Sequence, residues 1–281
     1  MFAAHSRGES DVLTTGKLIL SWARSVYEAD LQTKRIEAIP GLNDEGFIYT
    51  QLSKIDEERF LYDKSYLENT IHEYNRKTHT SKLIRAGRKP TYIPEHGKFF
   101  FYYHNPETKQ TRLYVADLKD PIASAREVGQ GLNISPELSV IQVSRDEILF
   151  PEDSNEYKYY KIWRYNLVTA ESKALPIKNC LPHIWRSATQ QLLCFDMPKQ
   201  RYYLTDLEGK KKEYLPKLGD ALAATYIPQL DTLILGISRV QLVPPLGEVQ
   251  DIWAYQFANG KMTKLLKVAP IGRSAAIWYE H

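Results

Sequence analysis

The sequence predicts an all-β chain in which six successive repeats each fold into a small antiparallel sheet. Three observations support this prediction. A strand-like phrase recurs six times, a second apolar unit recurs between its copies, and the two ends of the chain complement each other. All-β folds often reach the length of this chain, 281 residues, as one domain. We therefore expect residues 1–281 to form a single domain.

The recurring phrase is clearest in "KIWRYNLVT" at Lys161–Thr169 and "DIWAYQFAN" at Asp251–Asn259. Side chains along each copy alternate between two faces, which is the two-residue period of a β-strand. A polar residue near the end of each copy is expected to bond to the backbone of the following turn. These residues are Asp30, Asn75, Asp117, Asn166, Asp206 and Gln256. Their successive spacings of 45, 42, 49, 40 and 50 residues predict six repeats.

The second unit is an apolar strand, a tight turn and a very apolar strand. It is clearest in "TYIPEHGKFFFYY" at Thr91–Tyr103 and "ATYIPQLDTLILGI" at Ala224–Ile237. Further versions lie at Ser139–Phe150, His183–Phe195 and, more loosely, Ala38–Thr50. Each period thus contains about four strands, an arrangement typical of a β-propeller. The sequence predicts a six-bladed β-propeller with four-stranded blades, and two packed β-sandwiches are the alternative.

Each end of the chain supplies what the other end lacks. "RSAAIWYEH" at Arg273–His281 resembles an inner strand with no buried strand after it. "GKLILSW" at Gly16–Trp22 resembles a buried strand with no inner strand before it. We expect the C-terminal strand to join the N-terminal blade and close the ring, which leaves no unpaired edge there. The predicted blades are residues 11–36 with 273–279, 37–86, 87–130, 131–176, 177–218 and 219–268.

Two turns carry a resemblance to a known family. Tyr92–Lys98 and Tyr226–Asp231 resemble degenerate copies of the aromatic-Ser-Pro-Asp-Gly-Lys turn of TolB-like propeller repeats, and the "ADL" and "YNL" phrases are similar to the strand that follows there. The likeness covers about Lys17 to Tyr279, although the chain contains no intact Ser-Pro-Asp-Gly. In that family these motifs mark the scaffold. Because the family includes partner-binding modules and non-catalytic domains of larger peptidases, the resemblance implies binding more readily than catalysis.

Composition and charge exclude several classes of function. A net charge of +3 is weak for a nucleic-acid binder, and a solvated turn explains the basic run at Gly209–Tyr214. No stretch approaches the roughly 18 apolar residues of a membrane span. The N-terminal segment lacks the apolar centre of a secretory signal. We expect a cytoplasmic protein, or a periplasmic one if Met1 was placed before an exported mature chain.

Two cysteines, Cys180 and Cys194, flank the turn of a predicted hairpin. Pairing about that turn would place His183 roughly opposite Cys194 and leave Cys180 beyond reach. We therefore expect both cysteines to be reduced core residues. For His183 the sequence favours a core position over metal ligation.

Known catalytic motifs are absent from the sequence: it has no nucleophile elbow, zinc-protease motif, phosphate-binding glycine loop or calcium loop. A ring can also hold a divalent ion if each inner strand contributes an oxygen or nitrogen ligand. The inner strands are predicted to offer Glu37, Thr91, Ser139, His183, Thr225 and Ser274. Because that set holds one carboxylate, we expect no cofactor, with a divalent metal in the channel as the less favoured alternative.

We expect a partner at the face formed by the loops that lead into the inner strands and the loops that join second and third strands. The predicted second-to-third loops include Ser53–Thr70, His104–Thr111, Pro151–Tyr160 and Ser238–Asp251. Ser53–Thr70 is interpreted as a protruding arm with aromatic anchors, or as a surface helix that caps the core. The predicted binding residues are Arg59, Phe60, Tyr62, Tyr66, Arg88, Lys89, His104, Glu152, Lys178 and Arg239.

The sequence thus favours a non-enzymatic interaction module that grips a protein partner, such as a bacterial effector, an envelope component or a subunit of a complex. One alternative is a propeller hydrolase or lyase that acts on a sugar or lactone with a divalent metal. A second alternative is carbohydrate binding by exposed tyrosines, since the chain has 19 tyrosines.

Overall fold

The computed structural model describes residues 13, 15–22, 25–43, 51–65, 69–136, 138–153, 160–216, 218, 221–241, 247–268 and 276–280. These residues form six four-stranded antiparallel sheets arranged as a six-bladed β-propeller. Within this part of the chain, no helix is long and apolar enough to cross a membrane. The predicted fold class is confirmed.

The strands are numbered in chain order, and each blade runs from an inner to an outer strand. Blade 1 holds β24 (Ala276–Tyr279), β1 (Lys17–Trp22), β2 (Ser25–Asp30) and β3 (Ile36–Asn43). Blade 2 holds β4 (Leu52–Lys54), β5 (Arg59–Lys64), β6 (Thr70–Asn75) and β7 (Thr80–Ala86). Blade 3 holds β8 (Arg88–Ile93), β9 (Lys98–His104), β10 (Thr111–Asp117) and β11 (Arg126–Val128).

The second half of the ring repeats this order. Blade 4 holds β12 (Ile141–Gln142), β13 (Glu147–Asp153), β14 (Tyr160–Asn166) and β15 (Ser172–Ala174). Blade 5 holds β16 (Leu181–Arg186), β17 (Gln191–Asp196), β18 (Arg201–Thr205) and β19 (Lys212–Tyr214). Blade 6 holds β20 (Ala221–Ile227), β21 (Thr232–Gln241), β22 (Gly247–Gln256) and β23 (Met262–Val268).

The core is divided among hydrophobic clusters that lie between neighbouring blades. Phe99 and Phe101 of β9 pack toward blade 2, whereas Phe100 and Tyr102 pack toward blade 4. All four side chains are fully buried. A continuous apolar strand is therefore required, because both faces of the second strand are covered by adjacent blades. A further cluster joins blade 6 to blade 1, so the ring is held together all the way round.

The turns match the predicted repeats. The side-chain oxygens of Asp30, Asn75 and Asn166 each accept two backbone N–H bonds from the following turn. The two motifs that resemble TolB-like repeats form the same short 3-10 turn, at Pro94–His96 and Pro228–Leu230. Both turns end in a left-handed residue.

The C-terminal strand closes the ring as predicted. β24 pairs antiparallel with β1, and Lys17 lies opposite Tyr279 in the register. Gly16 precedes β1 with a φ of +92°, and the ring of Trp278 occupies the space that a side chain there would need. The two ends of the described chain are thus packed against each other within one blade.

The predicted boundary between blades 1 and 2 is wrong. Ile36–Asn43 is the outer strand of blade 1, joined to β2 by a short turn, and not the inner strand of blade 2. The segment Ser53–Thr70 is not a protruding arm or helix over its first twelve residues, because these contain part of β4 and all of β5. Its middle residues Phe60, Leu61 and Tyr62 are fully buried between blades. Local hairpin pairing of β2 with β3 thus overrides the loose likeness of residues 38–50 to an inner-strand unit.

The expectation of reduced cysteines is also wrong. Cys180 and Cys194 form a disulfide with their Cα atoms 5.0 Å apart, and both residues are fully buried. The predicted hairpin register assumed regular pairing about the turn. A β-bulge between Pro182 and Ile184 instead places Pro182 opposite Cys194, which brings Cys180 within reach.

We expect the disulfide to contribute about 3 kcal/mol to the free energy of unfolding, the value for a closed loop of this length. The double variant Cys180→Ala/Cys194→Ala should lose that amount in urea unfolding and should not respond to a reductant. The wild type should fall to the same stability when reductant is present. Thiol titration in guanidinium provides the control: two free thiols in untreated protein would contradict the bond.

Candidate functional site

The ring has two faces that differ in what forms them. The connections between blades and the loops from second to third strands emerge on one face, here called the loop face. The turns from inner to second strands and from third to outer strands emerge on the opposite face, here called the turn face. The antiparallel order of each blade dictates this division.

Some of the predicted binding residues lie on the loop face. Arg88 and Lys89 begin β8, and the backbone N–H of Lys89 donates to Asp63 at 3.0 Å. His104 is exposed at the end of β9, where its Nδ1 lies 3.1 Å from the Thr111 hydroxyl.

The next blades add two further predicted residues to the loop face. Glu152 accepts a 2.7 Å hydrogen bond from Trp163 Nε1. Lys178 is exposed, and its carbonyl accepts from the Tyr203 hydroxyl at 3.3 Å. The five residues on this face are spread along the rim from blade 3 to blade 5.

Of the remaining predicted residues, those of β5 that the structure describes do not form an aromatic arm. Phe60 and Tyr62 are fully buried in β5. Arg59 lies at the turn-face end of that strand, where it binds Asp56 at 2.7 Å and Glu73 at 3.2 Å. Tyr66 lies outside the described residues. The placement of Arg59, Phe60 and Tyr62 on the loop face is corrected, because these residues belong to a strand inside the ring.

Blade 6 has a feature on the loop face that the sequence interpretation missed. The predicted loop Ser238–Asp251 is largely two paired strands, with Arg239 opposite Val249 and Gln241 opposite Gly247. β20 pairs with β21 only as far as Ile237, and β23 pairs with β22 only from Gln250. Ser238–Gln241 and Gly247–Val249 therefore form a two-stranded ribbon, about 10 Å long at the usual rise per residue. We call this segment the blade 6 ribbon.

A buried carboxylate organises the opposite side of the loop face. Asp63 is fully buried, and it accepts the backbone N–H of Gln51 at 2.8 Å and that of Lys89 at 3.0 Å. It also accepts the hydroxyl of Ser65 at 3.1 Å. The side chain of Gln51 in turn accepts from Ser139 of the next-but-one blade at 2.8 Å. One side chain thus fixes the starts of the inner strands of blades 2 and 3.

A pocket of about 380 Å³ lies where the central channel opens between blades 6, 1 and 2. Lys54, Glu57, Tyr226, Gln229 and Glu280 are among its lining residues. Lys54 pairs with Glu57, and the Tyr226 hydroxyl donates to Asp231 at 2.8 Å. Burial, followed by the bond to Asp231, raises the pKa of Tyr226 to about 12. Lys54, Glu57 and Tyr226 are therefore already paired with protein groups, and the pocket presents a polar surface.

The residues predicted to line the channel bear on the alternative of a divalent metal. Across the described part of the chain, no three His, Cys, Asp or Glu side chains are grouped so that they could hold a metal ion. Glu37 lies in the outer strand of blade 1, and Ser274 lies outside the described residues. The His183 ring packs edge-on against Tyr202 with centroids 5.3 Å apart. Burial lowers the pKa of His183 to about 4, so the ring is neutral at physiological pH.

The basic run on the turn side of blade 5 is tied to the protein. Lys212 Nζ lies 3.0 Å from Asp196 and 3.9 Å from the centroid of the Tyr203 ring. This lysine therefore covers aromatic surface, as long cationic side chains commonly do.

Comparison with known proteins was made at the levels of sequence and structure. No family profile and no curated protein matches this chain. Among solved structures, TolB from Acinetobacter baumannii superposes with a TM-score of 0.71 and 12% sequence identity, covering 94% of this chain and 67% of that chain. The TolB-like scaffold is confirmed.

Other propellers superpose on the same blades. A nidogen/laminin complex matches with a TM-score of 0.64 and 12% identity, over 92% of this chain and 97% of that chain. An oligogalacturonate lyase in complex with manganese matches with a TM-score of 0.55 and 13% identity, over 92% of this chain and 75% of that chain. One scaffold thus carries a protein complex in one case and a lyase in another, so the TolB-like fold does not fix the activity.

Proposed function

We propose that this propeller is a non-catalytic module that binds a protein partner through its loop face, with the blade 6 ribbon as the main contact. The observation that carries the proposal is that β21 and β22 remain paired beyond the strands that flank them. A stretch of sheet outside the blade is not needed to close the ring. Binding segments are typically presented in this way, as extensions of a rigid scaffold.

The ribbon also suggests how a partner would bind. In the described part of the chain, no third strand pairs with Ser238–Gln241 or with Gly247–Val249. Both sides of the ribbon therefore present backbone N–H and C=O groups in strand geometry. A partner with an extended segment can add a strand to such an edge, a common mode of peptide recognition.

The rest of the loop face supports a polar contact around the ribbon. Arg88 and Glu152 are half-buried at the rim, whereas His104 and Lys178 are exposed. Cationic and anionic groups both occur there, so the face favours a partner of mixed charge and does not favour nucleic acid. The proposed activity needs no cofactor.

The disulfide bears on where such a module works. Disulfides persist in oxidising compartments and are rare in the cytosol. We therefore favour an exported protein, with the periplasm as the compartment, over the cytoplasmic location expected from the sequence.

Shortening the ribbon tests the proposed face. Replacing residues 239–249 by Asn-Gly would join Ser238 to Gln250, which are paired neighbours, through a tight two-residue turn. We expect this variant to fold with an unchanged melting temperature and to lose at least about tenfold in affinity, or 1.4 kcal/mol, for the partner identified by cross-linking to the full chain.

The matched control replaces the loop-face turn 197–200 of blade 5 by Asn-Gly, away from the ribbon. It should bind the partner as the wild type does. Equal binding by the ribbon variant and the wild type would exclude the ribbon as the main contact, and equal loss in both variants would exclude a ribbon-specific role.

A further inference from the structure

A second cavity lies at the outer rim between blades 3 and 4, away from the channel and the ribbon. It is an open cleft of about 400 Å³ with Arg126, Glu127 and Gln130 on one side and Trp163, Tyr165 and Ser172 on the other. This volume lies within the range of small-molecule sites. We call it the rim cleft.

The cleft exists because of how the two blades end. The outer strands β11 and β15 are three residues long, whereas those of blades 1, 2 and 6 have seven or eight. Gly129 then turns the chain inward with a φ of +66°. A Cβ atom at this position would lie 3.0 Å from Leu132 and 3.1 Å from Phe150, so no side chain fills the space. β15 pairs with Trp163–Tyr165 along its edge, so the cleft opens onto the face of β14 that lies next to β11 and the Gly129 turn.

The floor of the rim cleft is aromatic and held in place. Trp163 and Tyr165 lie two residues apart on β14 and share one face of the sheet. Trp163 is half-buried, and its Nε1–H already donates to Glu152 at 2.7 Å. Lys161 Nζ lies 5.0 Å from the centroid of the Trp163 ring. The indole is therefore oriented, and its N–H is not available to a ligand.

The walls supply donors and acceptors in balance. Arg126 is exposed, and its guanidinium donates one weak bond, at 3.4 Å, to the Leu167 carbonyl. The carboxylate of Glu127 lies 3.8 Å from Arg112. Gln130 is exposed and can both donate and accept, as can the hydroxyl of Ser172. The lining residues include one cation and one anion, and Lys161 lies beside the Trp163 ring as a second cation.

We propose that the rim cleft binds a neutral saccharide. A pyranose ring presents a face of C–H groups that packs on an aromatic ring, and its edge carries hydroxyls that both donate and accept hydrogen bonds. The cleft provides the matching elements: Trp163 as the aromatic surface, with Arg126, Glu127 and Gln130 as planar polar groups beside it. This site lies away from the blade 6 ribbon, although Trp163 is bonded to Glu152 of the loop face.

Other ligands fit the same groups less well. An apolar molecule would strip water from Arg126 and Glu127 without replacing their hydrogen bonds. An anion would meet Arg126 but would also face the carboxylate of Glu127. A proline-rich peptide usually takes a hydrogen bond from an exposed indole N–H, and in Trp163 that donor is bound to Glu152.

The test blocks the cleft without removing its floor. Ser172 is exposed and lies directly opposite Tyr165, so the side chain of Ser172→Trp would fill the cleft. The matched control is Ser144→Trp, an exposed turn position outside the cleft. Gln130→Ala removes one polar group without changing the shape. Binding is measured by saturation-transfer NMR and calorimetry with the methyl glycosides of glucose, galactose, mannose and N-acetylglucosamine, and with an array of immobilised oligosaccharides.

We expect at least one of these saccharides to bind the wild type and Ser144→Trp equally. Its affinity should fall at least tenfold in Ser172→Trp and severalfold in Gln130→Ala. Binding of no saccharide would overturn the proposal, and so would equal binding by Ser172→Trp. If a proline-rich peptide binds instead, with loss in Ser172→Trp, the cleft is a peptide site and the saccharide assignment is wrong.

Discussion

Replacing Gly16 by alanine is expected to lower the free energy of unfolding by about 2–5 kcal/mol, because two costs combine at this position. The φ of +92° is strained for any residue with a side chain. The new Cβ atom would also lie 1.9 Å from Cη2 of Trp278. The backbone cannot easily move away, since the carbonyl of Gly16 accepts a 3.0 Å hydrogen bond from Leu31.

A second glycine separates the two costs. Gly97 also has a positive φ, of +62°, but a Cβ atom there would have nothing within 4 Å. Gly97→Ala should therefore cost only the backbone term, about 1–2 kcal/mol. Urea unfolding of both variants gives the comparison. Equal losses would show that the packing of Trp278 on Gly16, and with it the closure of blade 1 described above, is wrong.

A double-mutant cycle measures the contact between Gly16 and Trp278 directly. Trp278→Ala removes the ring that Gly16→Ala would strike, so the glycine substitution should cost less in that background. The difference between the two backgrounds measures the contact between the ends of the chain. No difference would mean that the two residues act independently.

The ring and most of its blades could be predicted from sequence because every repeat obeys the same local rules. A strand that is buried on both faces appears in the sequence as a continuous run of apolar residues, as Phe99–Tyr103 does. An Asx turn appears as an Asp or Asn at the same position of each repeat, just after the aromatic strand, as Asn166 does. Each of these patterns spans only a few consecutive residues, so it can be recognised in the sequence without knowledge of the tertiary structure.

The strands of blade 2 were predicted wrongly because their sequence patterns are short and interrupted by charged residues. Its inner strand has three residues, and charged residues bracket the apolar centre of β5. The disulfide was missed for a different reason, since a single bulged residue at His183 changes which side chains meet across the hairpin. A register shift of this kind depends on packing and leaves no mark in the composition.

The candidate site was the least predictable part. The blade 6 ribbon was predicted to be part of a loop, although Ser238–Gln241 and Gly247–Gln250 are paired strands. The rim cleft depends on where two outer strands stop, and strand ends are set by neighbouring blades. The role of Asp63 could not be predicted from the sequence, because two of the groups that it binds are backbone N–H groups 12 and 26 residues away.

Removal of the Asp63 carboxylate is the second large effect that we expect. Asp63→Ala leaves the backbone N–H groups of Gln51 and Lys89 and the hydroxyl of Ser65 without this acceptor. An unsatisfied buried polar group costs about 1–3 kcal/mol, so the loss should reach about 3 kcal/mol or more. Asp63→Asn keeps one acceptor oxygen but turns an NH2 group toward a donor, and its cost should be intermediate.

The matched control is Asp206→Ala on the turn face, which removes an acceptor from the backbone N–H of Lys210 at an exposed turn. That variant should lose about 1 kcal/mol or less. Urea unfolding measures the free energy of unfolding of each variant, and amide hydrogen exchange shows where in the chain stability is lost. In Asp63→Ala, the amides of Gln51 and Lys89 should exchange faster than in the wild type, while those of blade 5 should not change. If Asp63→Ala is no less stable than Asp206→Ala, the carboxylate does not hold the starts of the two inner strands, and the loop face between blades 2 and 3 must be fixed by other contacts.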